Sequence, residues 1–132
     1  MKTLIVEDDF ASRVLLQSLL SRYGECHIAV NGKEAIEAVR LAQDNGHRYD
    51  LICMDIMMPE MDGQAALRQI RAQEEAAGLR SNKAAKVIMT TALDEIKDVV
   101  AAFQGLCDAY LFKPIDRAKL AGHLQSLGLV PA

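Results

Sequence analysis

The chain has 132 residues, 51% of them hydrophobic and 25% charged, with a formal net charge of −3 and a pI near 5.6. That length accommodates one domain, expected over residues 1–132, with a proper core, and the balance is that of an ordinary globular protein. The acidic charge argues against a nucleic-acid surface, no apolar run reaches the length of a membrane span, and the N-terminus lacks the layout of a signal peptide. Cys26, Cys53 and Cys107 are widely spaced among apolar residues, with no C-x-x-C pair. They read as reduced core cysteines of a cytoplasmic protein, not as a metal site.

In chain order, "KTLIV" (2–6) is a short apolar run that stops at "EDD" (7–9). Val14, Leu15, Leu16, Leu19 and Leu20 then recur at helical spacing between Phe10 and Arg22, and Tyr23–Gly24 breaks that helix. "CHIAV" (26–30) predicts a second strand, and Asn31 is placed as the N-cap of a helix carrying Ala35, Ile36, Val39 and Ala42. The third strand is "DLICMD" (50–55), followed by a turn marked by Pro59 and Gly63 and a helix over 63–77 ended by Gly78. A polar connector, "LRSNKAAK" (79–86), leads to strand four, "VIMTTA" (87–92). Ile96, Val99, Val100 and Phe103 mark the next helix, ended by Gly105. "CDAYLF" (107–112) predicts strand five, and Leu120, Leu124 and Leu127 mark a final helix. Strand and helix therefore alternate five times, with strands too apolar for a wet face, which predicts a parallel sheet covered by helices on both sides.

In an open parallel sheet, sites form outside the carboxyl ends of the strands. Strand one ends in Glu7, Asp8 and Asp9, strand three in Asp55, strand four in Thr90 and Thr91, and strand five in Lys113 followed by Pro114. Taken singly, Asp9 has the placement of a helix cap and Lys113 that of a solvated cation pairing loosely with one acid. Converging from four strands, the set points to chemistry. Clustered carboxylates repel one another and invite a hard cation; Mg²⁺ suits them because it takes a few carboxylates, keeps waters and waits for a phosphate oxygen. A carboxylate beside a lysine and a metal can be a nucleophile that forms an aspartyl phosphate, with Thr91 and Lys113 binding the phosphoryl oxygens.

These residues resemble a known family. "LIVEDD" (4–9), "MDIMMPEMDG" (54–63), "MTTA" (89–92) and "YLFKP" (110–114), in this order and spacing, are similar to the receiver domain of bacterial two-component response regulators, single-domain chemotaxis regulators included. The resemblance implies a flavodoxin-like (βα)5 fold with a five-stranded parallel sheet in the order 2-1-3-4-5. It implies that Asp55 accepts a phosphoryl group from a sensor histidine kinase or a histidine phosphotransfer protein. Asp8, Asp55 and the backbone carbonyl of Met57 would hold Mg²⁺, with Glu7 acting through water. Thr91 would be the switch hydroxyl, Tyr110 the switch aromatic, Lys113 the charge partner of the phosphoryl group, and Lys113–Pro114 a cis bond. The surface of helix four, strand five and helix five would meet a downstream protein, with no nucleic acid or membrane involved.

Two features depart from the family pattern. The connector over about 74–86 is longer and carries Arg80, Lys83 and Lys86, and Met57 and Leu93 are apolar where many relatives are polar. Two other functions compete. An Asp-nucleophile phosphatase lacks its second acid, because the position two after Asp55 is Met57, and a binding module that never handles phosphate leaves the acids, Thr91 and Lys113 unexplained. His27, His47 and His123 are far apart and away from the rim, so they read as structural or surface residues, and Met54, Met57, Met58 and Met61 as core and turn packing. The sequence stops at "LGLVPA" (127–132) just after the last predicted helix; output by protein–protein contact is expected if this is the full protein, and a DNA-binding or enzymatic domain is the alternative if it is a piece of a longer one.

Overall fold

The computed structural model describes residues 1–58, 61, 63–79, 84–91 and 106–131. The helix expected around 96–103, Leu93, Arg80, Lys83 and Pro59 lie outside the described residues. Among the described residues, β1 (Thr3–Val6), α1 (Phe10–Leu20) and a 3-10 turn (Ser21–Tyr23) are followed by β2 (Cys26–Ala29), α2 (Gly32–Asp44), β3 (Leu51–Asp55), α3 (Gly63–Ala76), β4 (Lys86–Thr91), β5 (Ala109–Phe112) and α4 (Arg117–Ser126). The strands form one parallel sheet in the order β2-β1-β3-β4-β5, so β3 is central.

Period-two alternation splits the apolar strand residues between two cores. Leu4, Val6, Ile52, Met54, Val87 and Met89 face one way and pack with Ala35, Val39 and Ala42 of α2 and Ala66, Leu67 and Ile70 of α3. Ile5, Leu51, Cys53, Ile88, Ala109 and Leu111 face the other way, against Leu16 and Leu20 of α1 and Leu120 and Leu124 of α4. Continuous apolar strands are what a sheet buried on both faces requires. Asp9, Asn31 and Asp116 cap α1, α2 and α4, each accepting a backbone N–H with its side chain.

Several expectations need correcting. The edge strand β2 is partly wet, with His27 half-buried and Ile28 exposed, because only β1 flanks it. Of the five apolar residues at helical spacing in α1, Leu16 and Leu20 are buried and Leu19 packs partly buried on the core, whereas Val14 and Leu15 are exposed. Of the cysteines only Cys53 is in the core; Cys26 and Cys107 are half-buried, and no disulfide joins the three. Met57 is exposed and, among the described residues, packs in neither core cluster. The expected connector also starts later. Residues 74–76 belong to α3, Glu74 is buried, and the helix ends where Gly78 adopts φ 76°, a conformation glycine reaches without strain. No helix among the described residues is long and apolar enough to cross a membrane.

Candidate functional site

Register brings the predicted rim residues together. Val6 pairs with Met54, so Glu7 emerges beside Asp55, while Asp55 itself pairs with Thr90. Thr91 pairs with Phe112, and the Lys113 N–H donates to the Thr91 carbonyl at 2.8 Å, which carries Lys113 to the same end of the sheet. One carboxylate oxygen each from Glu7, Asp8 and Asp55 lies within 4.8 Å of the others. Asp8 is exposed, whereas Glu7 and Asp55 are buried.

Lys113 closes the cluster. Its Nζ stands 3.1 Å from Asp55 Oδ2, to which it donates a hydrogen bond, and 3.0 Å from Glu7 Oε2. The second contact is an ion pair, and beyond it Glu7 Oε2 is a buried carboxylate oxygen with no hydrogen-bond partner among the described residues. Burial pushes the Glu7 carboxyl up to about 7; Lys113 pulls it partly back and the Asp55 charge adds to the rise. The two acids in turn hold the Lys113 ammonium above its usual range against its own partial burial. Three carboxylate oxygens of like charge within 4.8 Å, with the one lysine only partly balancing them, fit an oxygen-seeking divalent cation such as Mg²⁺.

The remaining predicted residues fall into separate places. The Met57 N–H donates to Asp55 Oδ1 at 3.2 Å, and its side chain projects outward, 58% exposed. Thr91 is buried at the end of β4, and its strand neighbour Phe112 is two residues, and hence one face, from Tyr110. Tyr110 is half-buried against the core that holds Met89. Lys113–Pro114 is cis. Asp9, the third acid of the "EDD" run, is not in the cluster: its carboxylate accepts the Ser12 N–H at 2.9 Å as the α1 cap. The three histidines stay away from the rim; His27 Nδ1, for one, hydrogen-bonds the Tyr49 hydroxyl at 2.7 Å. Sequence reasoning passed over Arg13, whose Nη1 donates to the Glu7 carbonyl at 3.3 Å. Its only sequence signal is its place one turn after the Asp9 cap.

Known proteins share this fold. The receiver domain of sensor histidine kinase PA1611 from Pseudomonas aeruginosa PAO1, whose crystal structure has a magnesium ion coordinated in the active site cleft, matches with a TM-score of 0.76 and 29% identity, over 96% of this chain and 97% of that one. A chain of the co-crystal structure of the Saccharomyces cerevisiae histidine phosphotransfer signaling protein Ypd1 and the receiver domain of its downstream response regulator Ssk1 matches at 0.81 and 28% identity, over 98% and 89%. Probable transcriptional regulator ycf27 of Cyanidium caldarium is 32% identical over 125 residues, 94% of this chain but 45% of the relative, so the chain spans under half of that protein. The family model for the response regulator receiver domain matches residues 3–125. With nearly all of its length so matched, this chain belongs to the response regulator receiver domain family of two-component signalling.

Proposed function

We propose that the chain is a phosphorylation switch in which Asp55 accepts a phosphoryl group from a phosphohistidine of a sensor histidine kinase or a histidine phosphotransfer protein. The observation that carries this reading is the Asp55 carboxylate at the mouth of the central strand, 3.1 Å from Lys113 and grouped with Glu7 and Asp8. An Asp55 oxygen attacks phosphorus in line, and the phosphorus–nitrogen bond breaks with its electron pair staying on the donor imidazole. Lys113, already poised on Asp55, balances the charge of the phosphoryl oxygens, and the Thr91 hydroxyl binds one of them. Asp8, Asp55 and the Met57 carbonyl would hold Mg²⁺, with Glu7 acting through water. Bound there, the ion would neutralise charge on the phosphoryl oxygens.

The phosphoryl group adds charge and three acceptor oxygens to the rim. Drawing Thr91 toward them frees space for Tyr110 on the same face, and this alters a protein-docking surface formed by β5, α4 and the helix expected near 96–103. The chain's own turnover is limited to gaining and losing this group. The test is intact-protein mass spectrometry after incubation with acetyl phosphate and Mg²⁺. The wild type should gain one phosphoryl mass and Asp55→Asn none; undiminished incorporation in Asp55→Asn would place the chemistry elsewhere.

A further inference from the structure

The second core runs up into the rim. Ile5, Cys53 and Ile88 pair side by side across β1, β3 and β4, and all three pack in the core beneath α1 and α4. Two residues further along stand Glu7, Asp55 and Thr90, which period-two alternation turns to that same face. Val6 pairs with Met54 and Asp55 with Thr90, so these three form the next row. Thr91, one residue on, turns to the opposite face, where Met89 and Tyr110 pack.

Thr90 is fully buried, and its hydroxyl oxygen has no hydrogen-bond partner among the described residues. Its backbone carbonyl is engaged, accepting the Ile56 N–H at 3.1 Å. Ile88 lies one step below it on β4 and Leu111 beside it on β5, both buried and apolar. On its other side, Asp55 of β3 is its polar neighbour. The aspartate is held by other donors, Oδ1 by the Met57 N–H and Oδ2 by Lys113. A buried hydroxyl left unpaired loses its hydration without return, so the resting site carries a cost that any state giving the hydroxyl a partner removes.

We propose that Thr90 is a positioning residue for Asp55: its hydroxyl is unpaired at rest and donates a hydrogen bond to the Asp55 carboxyl group once this carries the phosphoryl group, which favours the loaded state. The proposal rests on Asp55 being the phosphoacceptor. At rest the Lys113 ammonium holds Asp55 Oδ2 at 3.1 Å. When that ammonium turns to the arriving phosphoryl oxygens, the carboxyl group loses a donor, and Thr90 stands beside it with a proton to give. A hydrogen bond made only in the loaded state shifts the equilibrium by its whole strength; one made equally in both shifts nothing.

The test uses the whole chain with Mg²⁺ and beryllofluoride, which stands in for the phosphoryl group, and follows the ¹⁹F NMR signal of the bound fluoride. Thr90→Val removes the hydroxyl at nearly constant shape. The beryllofluoride concentration for half-saturation should rise roughly three- to tenfold, the range one hydrogen bond supplies, while the ligand-free variant melts no lower than the wild type. Thr90→Ser keeps the hydroxyl and loses a methyl, so it should melt lower yet bind beryllofluoride as the wild type does. A merely structural residue would move melting and leave binding unchanged. Unchanged half-saturation in Thr90→Val, or equal weakening in the Val and Ser variants, overturns the proposal. So does a marked loss of ligand-free stability in Thr90→Val, which would mean that the hydroxyl is already bonded at rest. A wild type that shows no bound signal, or a signal that survives Asp55→Asn, overturns the reading of Asp55 as phosphoacceptor, an outcome read before any Thr90 variant is made.

Discussion

Gly63 lies so close to Asp55 that a Cβ on the glycine would stand 2.5 Å from the aspartate's backbone carbonyl oxygen. It would also meet Ile56 Cα and the Met89 Cε methyl at 3.0 Å. The Gly63 N–H donates to the Ile56 carbonyl at 2.9 Å, and this folds the start of α3 directly onto the end of β3. Close approach explains the glycine better than turn chemistry alone. Gly63→Ala must displace backbone at the end of β3 and is expected to cost about 1–3 kcal/mol, the range for overpacking a tight interior. Urea unfolding measures this; an unchanged midpoint would mean that the turn yields freely.

Stability should depend on pH through Glu7. Its carboxyl is held at about 7 in the folded protein against an ordinary value of 4.5, mainly by burial. Below the ordinary value both the native and the unfolded chain carry the proton. Between the two values only the native chain keeps it, so stability falls as pH rises through this window and levels off above it. Glu7→Gln should flatten that part of the profile. Mg²⁺ needs the carboxylate ionised, so its apparent affinity in the wild type should rise over the same window. A wild-type stability curve flat from pH 4.5 to 7 without metal would sink this assignment.

Asp8 supplies the exposed carboxylate of the cluster. Mg²⁺ should raise the melting temperature of the wild type in the absence of phosphate, and Asp8→Ala should remove that rise. Removing one of the three clustered acids also relieves repulsion, so Asp8→Ala should melt higher than the wild type when both are metal-free. If melting of the wild type is indifferent to Mg²⁺, the acid pocket is not a metal site.

In the proposed switch, Met57 is expected to bear on how long the phosphorylated state lasts. Its N–H reaches the Asp55 carboxylate, and its exposed thioether has no donor or acceptor strong enough to position an attacking water. Hydrolysis needs a water in line with the bond to be broken, and positioning is a large part of such displacements. Met57→Asn is therefore expected to speed loss of the phosphoryl group several-fold with little change in stability, since the side chain is 58% exposed. Leu93→Glu tests the matching idea at a residue outside the described set, and the double substitution should be fastest. Phosphate release from protein loaded with acetyl phosphate and desalted into Mg²⁺ gives the rates; equal or slower release from the variants rejects the role.

Much of this protein is determined locally, and that part was legible in its residues. Apolar runs of strand length separated by helical periodicity, with Asp9 and Asn31 at the caps, define the alternation because propensity, capping and burial patterns act within a few residues. The rim set of Glu7, Asp8, Asp55, Thr91 and Lys113 followed from the same alternation, since every parallel strand delivers its C-terminal residue to one edge. The strand order did not follow from it; only the resemblance implied 2-1-3-4-5, and the pairing bears it out.

Tertiary structure alone decided what depends on contacts between distant segments. The Lys113–Asp55 hydrogen bond spans 58 positions, and its length is set by the register of β3, β4 and β5 together. Glu74 looks in sequence like one more solvated helix residue, yet it is buried under Arg71, because the loop into β4 folds back and offers the Ala85 N–H and carbonyl. Val14 and Leu15 carry the helical spacing of a core stripe but are exposed, because α1 turns Leu16, Leu19 and Leu20 to the sheet beneath it. Periodicity states which residues can be buried; the rotation of a helix about its axis, and so which of them are, is chosen by packing over the whole sheet.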